Sequence, residues 1–232
     1  MQHKKYGEID VIEIPGDPEG PAIVMFHGFG ANSADLAGLA QAVKVPAGTN
    51  WYFPNGILDL APMAGMVGMP GFQGRAWWPI DQKALDYAMA RGTHRDLSGF
   101  VPEGVDELRA KVSAMLKAIG KPLSRTTLGG FSQGAMLATD MTLHADESPA
   151  GLAILSGSLI DEATWRSLAS KRGGMQFFQS HGTSDPLLDF QAARNLEQLL
   201  REGGLTGEFV SFDGAHEIPP QVVARLSQYL RR

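Results

Sequence analysis

One pentapeptide has the residue types and spacing of a serine nucleophile. Gly130-Phe131-Ser132-Gln133-Gly134 matches the pattern G-x-S-x-G, in which a serine stands on a sharp turn between a strand and a helix. Residues 126–128 favour a strand and residues 133–144 favour a helix, so the surroundings fit the pattern. The alternative is an ordinary glycine-rich turn. In this context the pattern favours Ser132 as a nucleophile.

A serine hydroxyl needs a neighbouring base, which a histidine late in the chain could supply. In hydrolases with this pattern the order along the chain is serine, acid, histidine. Only His181 and His216 follow Ser132 at a useful distance. His216 comes just after the last predicted strand, at the sheet edge where open α/β folds bind ligands. We therefore expect His216 to be the base and His181 to be a histidine hydrogen-bonded to backbone.

Several carboxylates could orient the base. Asp185 lies on the loop that follows the strand carrying His181, and it is the acid that we expect. Asp161 lies past the preceding strand, where some hydrolases place their acid. Asp213 is only three residues from His216 and would lie beside the base rather than behind it. Asp189 is expected to cap a helix.

Acyl transfer also requires two backbone amides aimed at the developing negative charge. Gln133 follows the nucleophile and is expected to supply one N–H. Phe29, between two glycines after the predicted strand 22–26, is expected to supply the other. That strand and its glycines also resemble the start of a dinucleotide-binding fingerprint. Ser33 occupies the place of the third glycine, and no acidic residue ends the next strand, so we expect no cofactor.

The elements that must position these residues alternate between strands and helices, a rhythm typical of a mostly parallel sheet. The helix at 105–119 has the clearest period, with apolar residues on one face and Gly120 after it. The predicted strands are 10–14, 22–26, 50–53, 126–130, 152–155, 175–179 and 208–212, and the predicted helices are 33–43, 105–119, 133–144, 161–170, 190–201 and 218–230.

The segment 56–78 breaks the rhythm, because neither strand nor helix period survives in it. It is rich in glycine, methionine and other apolar residues, and long loops in compact domains are often functional. It also leaves the predicted strand 50–53 at the edge expected to carry the catalytic residues. We interpret it as a lid or pocket loop, and the alternative is a fixed cover on the core. The pocket candidates are Met66, Met69, Trp77 and Trp78.

Composition bounds the class of protein. The 232 residues are 44% hydrophobic and 19% charged, which argues against disorder and fits a single domain over 1–232. Lys and Arg number 20 against 25 Asp and Glu, a net charge of −5, so a nucleic-acid partner is not expected. With no cysteine, a disulfide scaffold, a thiolate metal site and a cysteine nucleophile are excluded. No metal-binding motif, membrane segment or signal peptide is recognised, and we expect a cytoplasmic protein.

Four motifs in order give the chain a family likeness. They are His27-Gly28-Phe29-Gly30-Ala31-Asn32, Gly129-Gly130-Phe131-Ser132-Gln133-Gly134-Ala135, His181-Gly182-Thr183-Ser184-Asp185 and Gly214-Ala215-His216-Glu217-Ile218-Pro219. Together with Arg75-Ala76-Trp77-Trp78, they resemble the carboxylesterase/lysophospholipase branch of the α/β-hydrolases, which includes the acyl-protein thioesterases. The resemblance implies an α/β-hydrolase fold, a mostly parallel sheet flanked by helices on both faces, and no cofactor.

The same resemblance implies that the nucleophile is Ser132, the acid Asp185 and the base His216, with oxyanion amides at Phe29 and Gln133. The expected activity is hydrolysis of small-molecule carboxylic esters through an acyl-enzyme. One alternative is a lysophospholipase or acyl-protein thioesterase with the same triad. A remote alternative is a hydrolase fold kept as a non-catalytic binding module. Acyl length, the preference between ester and thioester, and oligomeric state stay open.

Overall fold

A mostly parallel sheet lies at the centre of the computed structural model, which describes residues 1–63 and 71–232. Eight strands of the described residues form it, in the order β1-β2-β4-β3-β7-β8-β9-β10. The strands from β4 to β10 in this order run parallel, whereas β2 is antiparallel to both β1 and β4. The strands are β1 (Gln2–Tyr6), β2 (Ile9–Ile14), β3 (Ala22–Phe26), β4 (Asn50–Pro54), β7 (Thr126–Phe131), β8 (Gly151–Leu155), β9 (Gln176–Gly182) and β10 (Thr206–Phe212), and a separate antiparallel pair is formed by β5 (Leu58–Asp59) and β6 (Arg75–Ala76).

Helices cover both faces of the sheet, because alternate residues of each central strand point to opposite sides. In β3, Val24 and Phe26 join the core beneath α3, α4, α5 and α6, whereas Ile23 and Met25 join the core beneath α1 and α7. This confirms the predicted α/β architecture. The helices are α1 (Leu39–Ala42), α2 (Gln82–Ala90), α3 (Val105–Ile119), α4 (Gln133–His144), α5 (Glu162–Ala169), α6 (Phe190–Glu202) and α7 (Pro220–Tyr229).

The first predicted helix is wrong over most of its length, since 33–43 contains only the short α1. The residues before α1 form successive turns in which an N–H bonds to the carbonyl three residues earlier, as Ala37 does to Ala34. Asn32 also accepts from the Ala34 amide through its side chain, and Asp35 accepts from the Asn32 amide. Such side-chain bonds to backbone compete with helix formation.

Two elements that the sequence did not predict are almost fully exposed. Four of the five residues of β1 are exposed, so it has no alternation of apolar and polar positions. In α2 only Ala88 is buried, and the helix begins where the Asp81 carboxylate accepts a hydrogen bond from the Ala84 amide. Neither element carries the buried stripe on which pattern reading depends.

Candidate active site

Ser132 stands on the tight turn between β7 and α4, as the sequence predicted. Its φ of 56° and ψ of −121° are a strained backbone conformation for a residue with a side chain. The turn leaves no room for larger neighbours: a Cβ on Gly134 would lie 2.0 Å from the Phe26 carbonyl oxygen, and one on Gly130 would lie 2.4 Å from the Gly134 carbonyl. The Ser132 amide donates to the Leu155 carbonyl on β8 at 2.9 Å. The turn is therefore locked between three strands.

Asp185 and His216 are directly hydrogen-bonded. His216 Nδ1 lies 2.6 Å from Oδ2 of Asp185, and the other oxygen accepts from the amides of Leu187 and Leu188 at 2.8 and 3.0 Å. Burial alone raises the pKa of Asp185, but the hydrogen bonds from His216 and the two amides outweigh it and hold the pKa below its usual value. Because an ionised carboxylate only accepts, Nδ1 carries the hydrogen and Nε2 of His216 is left as an acceptor.

Backbone contacts bring the acid loop (residues 183–189) against the base loop (residues 213–219). The Ser184 amide donates to the Gly214 carbonyl at 3.0 Å, and the Thr183 amide donates to the Phe212 carbonyl at 2.9 Å. A Cβ on Gly182 would lie 2.2 Å from the Ala215 carbonyl oxygen, so glycine is what allows the two loops to meet. The acid and the base are thus fixed relative to each other by main chain.

The predicted oxyanion residues reach the same place as the nucleophile. Phe29, Gln133, Ser132 and His216 line one cavity of about 440 Å³. Gln133 is the first residue of α4, and the first amides of a helix have no partner within it and carry partial positive charge. The loop that carries Phe29, the loop that carries His216 and the N-terminus of α4 therefore meet at one cavity, at the ends of parallel strands.

The oxyanion loop (residues 27–31) is braced from behind by the strand β6. The Gly30 amide donates to the Arg75 carbonyl at 2.9 Å, and the Arg75 amide donates to the Ala31 carbonyl at 2.8 Å. The Arg75 side chain adds a bond from Nε to the Gly56 carbonyl at 2.9 Å. The described ends of the segment 56–78 therefore position the loop that carries Phe29.

His27 completes this brace as a neutral histidine. Its Nε2 accepts from the Gly56 amide at 2.9 Å, so the hydrogen is on Nδ1, which lies 2.7 Å from the Gly28 carbonyl. The ring is buried, and burial lowers its pKa. Protonation would place two like-charged hydrogens between Nε2 and the Gly56 amide. The structure therefore requires His27 to stay uncharged.

The Gln133 side chain has a positioning role that the sequence did not reveal. Its carbonyl oxygen accepts from the Trp77 amide at 2.9 Å, and its amide group donates to the Trp78 carbonyl at 2.9 Å. The Trp77 indole N–H donates to the His27 carbonyl at 2.9 Å. One glutamine thus joins the nucleophile turn to the Trp77–Trp78 backbone.

The four residues predicted to line the pocket do not all lie in it. Trp78 lines the cavity. Trp77 does not: it is 1% exposed and packs edge-on against Phe26, with ring centroids 5.2 Å apart. Its place is therefore in the core behind the oxyanion loop, since its indole bonds to that loop's backbone. Met66 and Met69 lie outside the described residues.

Part of the cavity wall comes from a stretch of the chain that the sequence patterns did not indicate. This cover segment, residues 79–100, includes α2 and contributes many of the residues that line the cavity. His94 ties it to the acid loop, since its Nε2 lies 2.8 Å from the Asp185 carbonyl oxygen. The apolar residues that the cover segment gives to the cavity are Ile80, Ala84, Leu85, Leu97 and Phe100, and those facing them include Met136, Leu187 and Leu188.

The competing acids lie elsewhere. Asp189 caps α6 by accepting from the Gln191 amide at 3.1 Å, which confirms its predicted role. Asp161 precedes α5 in a left-handed conformation, with φ of 41°, and Asp213 is exposed on the base loop. Within residues 1–63 and 71–232, no group of three or more His, Cys, Asp or Glu side chains could hold a metal ion. None of the helices in this part of the chain is long and apolar enough to cross a membrane.

Comparisons with known proteins place the chain in one family. Residues 7–232 match the phospholipase/carboxylesterase family. Acyl-protein thioesterase 1 of Candida albicans is 26% identical over 237 residues, covering 96% of this chain and 97% of that protein. Among solved structures, Zea mays acyl-protein thioesterase 2 has a TM-score of 0.70 at 22% identity, covering 97% of this chain and 98% of that one. The carboxylesterase of Bacillus cereus has a TM-score of 0.70 at 16% identity, covering 96% and 93%.

The structural likeness shows the fold, which is that of the α/β-hydrolases. The resemblance expected from the four ordered motifs is also confirmed, because the matching region contains all of them. The protein is an ester hydrolase, and the chain belongs to the phospholipase/carboxylesterase family.

Proposed function

We propose that the protein is a serine esterase in which Ser132 is the nucleophile, His216 the base and Asp185 the acid. One observation carries this proposal: the Asp185–His216 hydrogen bond of 2.6 Å lies at the edge of the cavity that Ser132 also lines. A carboxylate bonded to Nδ1 fixes the tautomer that a base needs, with a free lone pair on Nε2. We also infer that residues 1–232 act as one catalytic domain, because a single sheet carries all three residues.

The reaction proceeds by two acyl transfers. Ser132 Oγ attacks the ester carbonyl carbon while Nε2 of His216 takes the hydroxyl proton, and Asp185 stabilises the imidazolium. The amides of Phe29 and Gln133 donate to the oxyanion of the tetrahedral intermediate. When the intermediate collapses, His216 gives its proton to the leaving alkoxide and the acyl group stays on Ser132. A water molecule, deprotonated by His216, then releases the acid and restores the serine.

The cavity favours an apolar acyl group as the part of the substrate that is enclosed. Its volume of about 440 Å³ is in the range of small-molecule sites. Aliphatic and aromatic side chains form most of its wall. Apart from Ser132, Gln133 and His216, its polar side chains belong to the cover segment: Asp81, Gln82, Arg95 and Asp96. We propose that the cover segment selects the acyl group. The role predicted for the segment 56–78 as a lid, including Met66 and Met69, stays a prediction.

A second candidate is a thioesterase, because the Candida albicans and Zea mays relatives are named acyl-protein thioesterases. The same triad would act on both bonds, since both release a leaving group from an acyl carbonyl. An acyl-protein substrate would enter through the mouth of the cavity, with only its acyl chain enclosed. A lysophospholipase would use the same chemistry on a larger alcohol. Ester and thioester analogues with the same acyl chain separate these activities.

The test is a panel of p-nitrophenyl esters and matched thioesters from acetyl to decanoyl, assayed with the parent and with Ser132→Ala. We expect measurable kcat/KM on the esters and a loss of roughly 10³-fold or more in the alanine variant. Activity that survives the substitution would remove Ser132 from the mechanism. No turnover of any member of the panel by the folded parent would favour a non-catalytic binding module.

A further inference from the structure

A second histidine lies against the proposed catalytic acid, close to the same carboxylate oxygen that His216 contacts. His181 is at the carboxyl end of β9 and is completely buried. Its Nε2 lies 3.1 Å from the Leu188 carbonyl oxygen, and the same atom lies 3.3 Å from Oδ2 of Asp185. The sequence predicted a histidine hydrogen-bonded to backbone. The structure adds a close approach to the carboxylate, at the oxygen that His216 also contacts.

These contacts close a ring around the acid loop. The Leu188 amide donates to Oδ1 of Asp185 at 3.0 Å, and the Leu188 carbonyl accepts from His181. The second carboxylate oxygen, Oδ2, lies against the same His181 nitrogen. Movement of the carboxylate, of the Leu188 peptide or of the His181 ring would therefore disturb the other two. Leu188 also lines the acyl cavity, so this circle of contacts joins Asp185 to a wall of the substrate pocket.

The surroundings of His181 define its protonation state. A carbonyl only accepts, so the hydrogen must be on Nε2. Burial lowers the pKa of His181, which favours the neutral ring. Within residues 1–63 and 71–232, its Nδ1 has no hydrogen-bond partner, as expected for an unprotonated nitrogen.

The charged and titratable groups facing this ring come from two elements. Asp185 and Asp189 are on the acid loop, and His216 approaches from the base loop. The Phe190 ring of α6 packs edge-on against His181, with centroids 6.2 Å apart, and contributes no titratable group. His181 is therefore a fixed dipole between the acid loop and an apolar wall.

We propose that His181 is a positioning residue for Asp185: its Nε2–H holds the Leu188 peptide, whose amide binds the carboxylate, in the geometry that His216 requires. This inference rests on the proposed function. Removing the donor releases the Leu188 carbonyl from its hydrogen bond and takes a positively polarised N–H away from Oδ2, which leaves Oδ2 more negative towards His216. The protonated form of His216 is then favoured, so activity should be lost at a higher pH on acidification.

Two variants separate this role from simple packing. In His181→Gln the side-chain amide nitrogen can reach the position of Nε2, whereas in His181→Asn the shorter amide falls near Nδ1. With p-nitrophenyl acetate, we expect kcat of His181→Asn to fall about 10- to 100-fold, since an error of about 1 Å in a catalytic group has effects of that size. We also expect the acid limb of kcat/KM to move to higher pH. His181→Gln should recover most of the rate and the parent profile.

Kinetics of the two His181 variants can support or overturn the proposal. Parent kinetics and pH profile in a folded His181→Asn variant would overturn the proposal, as would an equal loss in Asn and Gln with no change in profile. If neither variant folds, ¹⁵N-histidine spectra of the parent decide: a neutral ring with hydrogen on Nε2 supports the proposal, and hydrogen on Nδ1 or a charged ring at neutral pH overturns it. Full activity of Ser132→Ala would instead overturn the proposed function.

Discussion

The helix that follows Ser132 and the helix that covers the cavity line the same space, but only the first belongs to the core. α4 is buried from Gln133 to Leu143, whereas α2 buries only Ala88. The turn before α4 is fixed by close main-chain contacts, and the cover segment is tied to the acid loop by the His94 side chain. Chemistry requires atoms held to fractions of an ångström, whereas substrate choice tolerates a surface that varies. We therefore expect changes near Ser132 to alter rate and folding, and changes in the cover segment to alter substrate preference.

The largest effect should come from the catalytic side. Asp185→Asn keeps the size of the side chain and an acceptor for the Leu187 and Leu188 amides, but it loses the charge that stabilises the His216 imidazolium. We expect kcat to fall by roughly 10⁴-fold while the protein stays folded. Steady-state kinetics with an acetate ester and a circular dichroism melt give the two readouts. A loss of less than tenfold would contradict the role of Asp185.

A matched pair of glycines compares the two regions in folding stability. Gly134→Ala would place a methyl carbon 2.0 Å from the Phe26 carbonyl oxygen, whereas no described atom lies within 4 Å of a Cβ on Gly99 in the cover segment. We expect Gly134→Ala to lower the free energy of unfolding by about 3 kcal/mol, and Gly99→Ala to change it by at most about 0.5 kcal/mol. Urea unfolding measures both. Similar changes in the free energy of unfolding for the two variants would show that the nucleophile turn is no more tightly packed than the cover segment.

The brace behind the oxyanion loop predicts a pH dependence of stability. Burial lowers the pKa of His27, so between that value and the ordinary value near ~6.5 the unfolded chain binds a proton that the native protein does not. His27 therefore contributes full stability above pH ~6.5, and the contribution is lost as the pH falls below it, by up to ~1.4 kcal/mol per pH unit.

Urea unfolding at pH 7.5, 6.5 and 5.5 checks this expectation, with His27→Gln as the comparison. Glutamine can still accept from the Gly56 amide, but it does not titrate. We expect the slope of stability against pH to be shallower in the variant. Equal slopes in the parent and the variant would show that His27 does not carry the effect.

The smallest expected effect belongs to the cover segment. Leu85 lines the cavity from α2, and Lys83 is exposed on the same helix. In Leu85→Ser, we expect kcat/KM to fall progressively as the acyl chain lengthens, by up to ~0.8 kcal/mol, or roughly fourfold, per methylene no longer buried. Lys83→Ser is the control and should keep the parent profile. A uniform loss across all chain lengths in Leu85→Ser would show that the cover segment does not select the acyl group.

The contrast between the two regions also explains what could be predicted from the sequence. α3 was recognised because it presents a buried face whose period can be read. The central strands are buried on both faces, and they were recognised as short apolar runs. The candidate nucleophile, acid and base lie at the ends of such elements, where short motifs stand out. The sequence predicted that Asp185 orients His216, but it could not predict the main-chain contacts that hold their two loops together, because these loops are distant in the chain.

The cover segment could not be found in this way. With one buried residue in α2, its sequence lacks an apolar stripe, and its position over the cavity depends on tertiary contacts. The same limit applies to Trp77 and Gln133. A tryptophan in a glycine-rich segment suggests a pocket, but its place in the core is set by bonds to His27 and to the Gln133 side chain.

The role of Ser132 as the nucleophile is tested most directly by locating an analogue of the acyl-enzyme. A fluorophosphonate reacts with an activated serine, and peptide mapping by mass spectrometry then identifies the modified residue. We expect one adduct, on Ser132, which forms in the parent, forms much more slowly in Asp185→Asn and is absent in Ser132→Ala. An adduct on another serine, or a folded and ester-hydrolysing parent with no adduct at all, would contradict it.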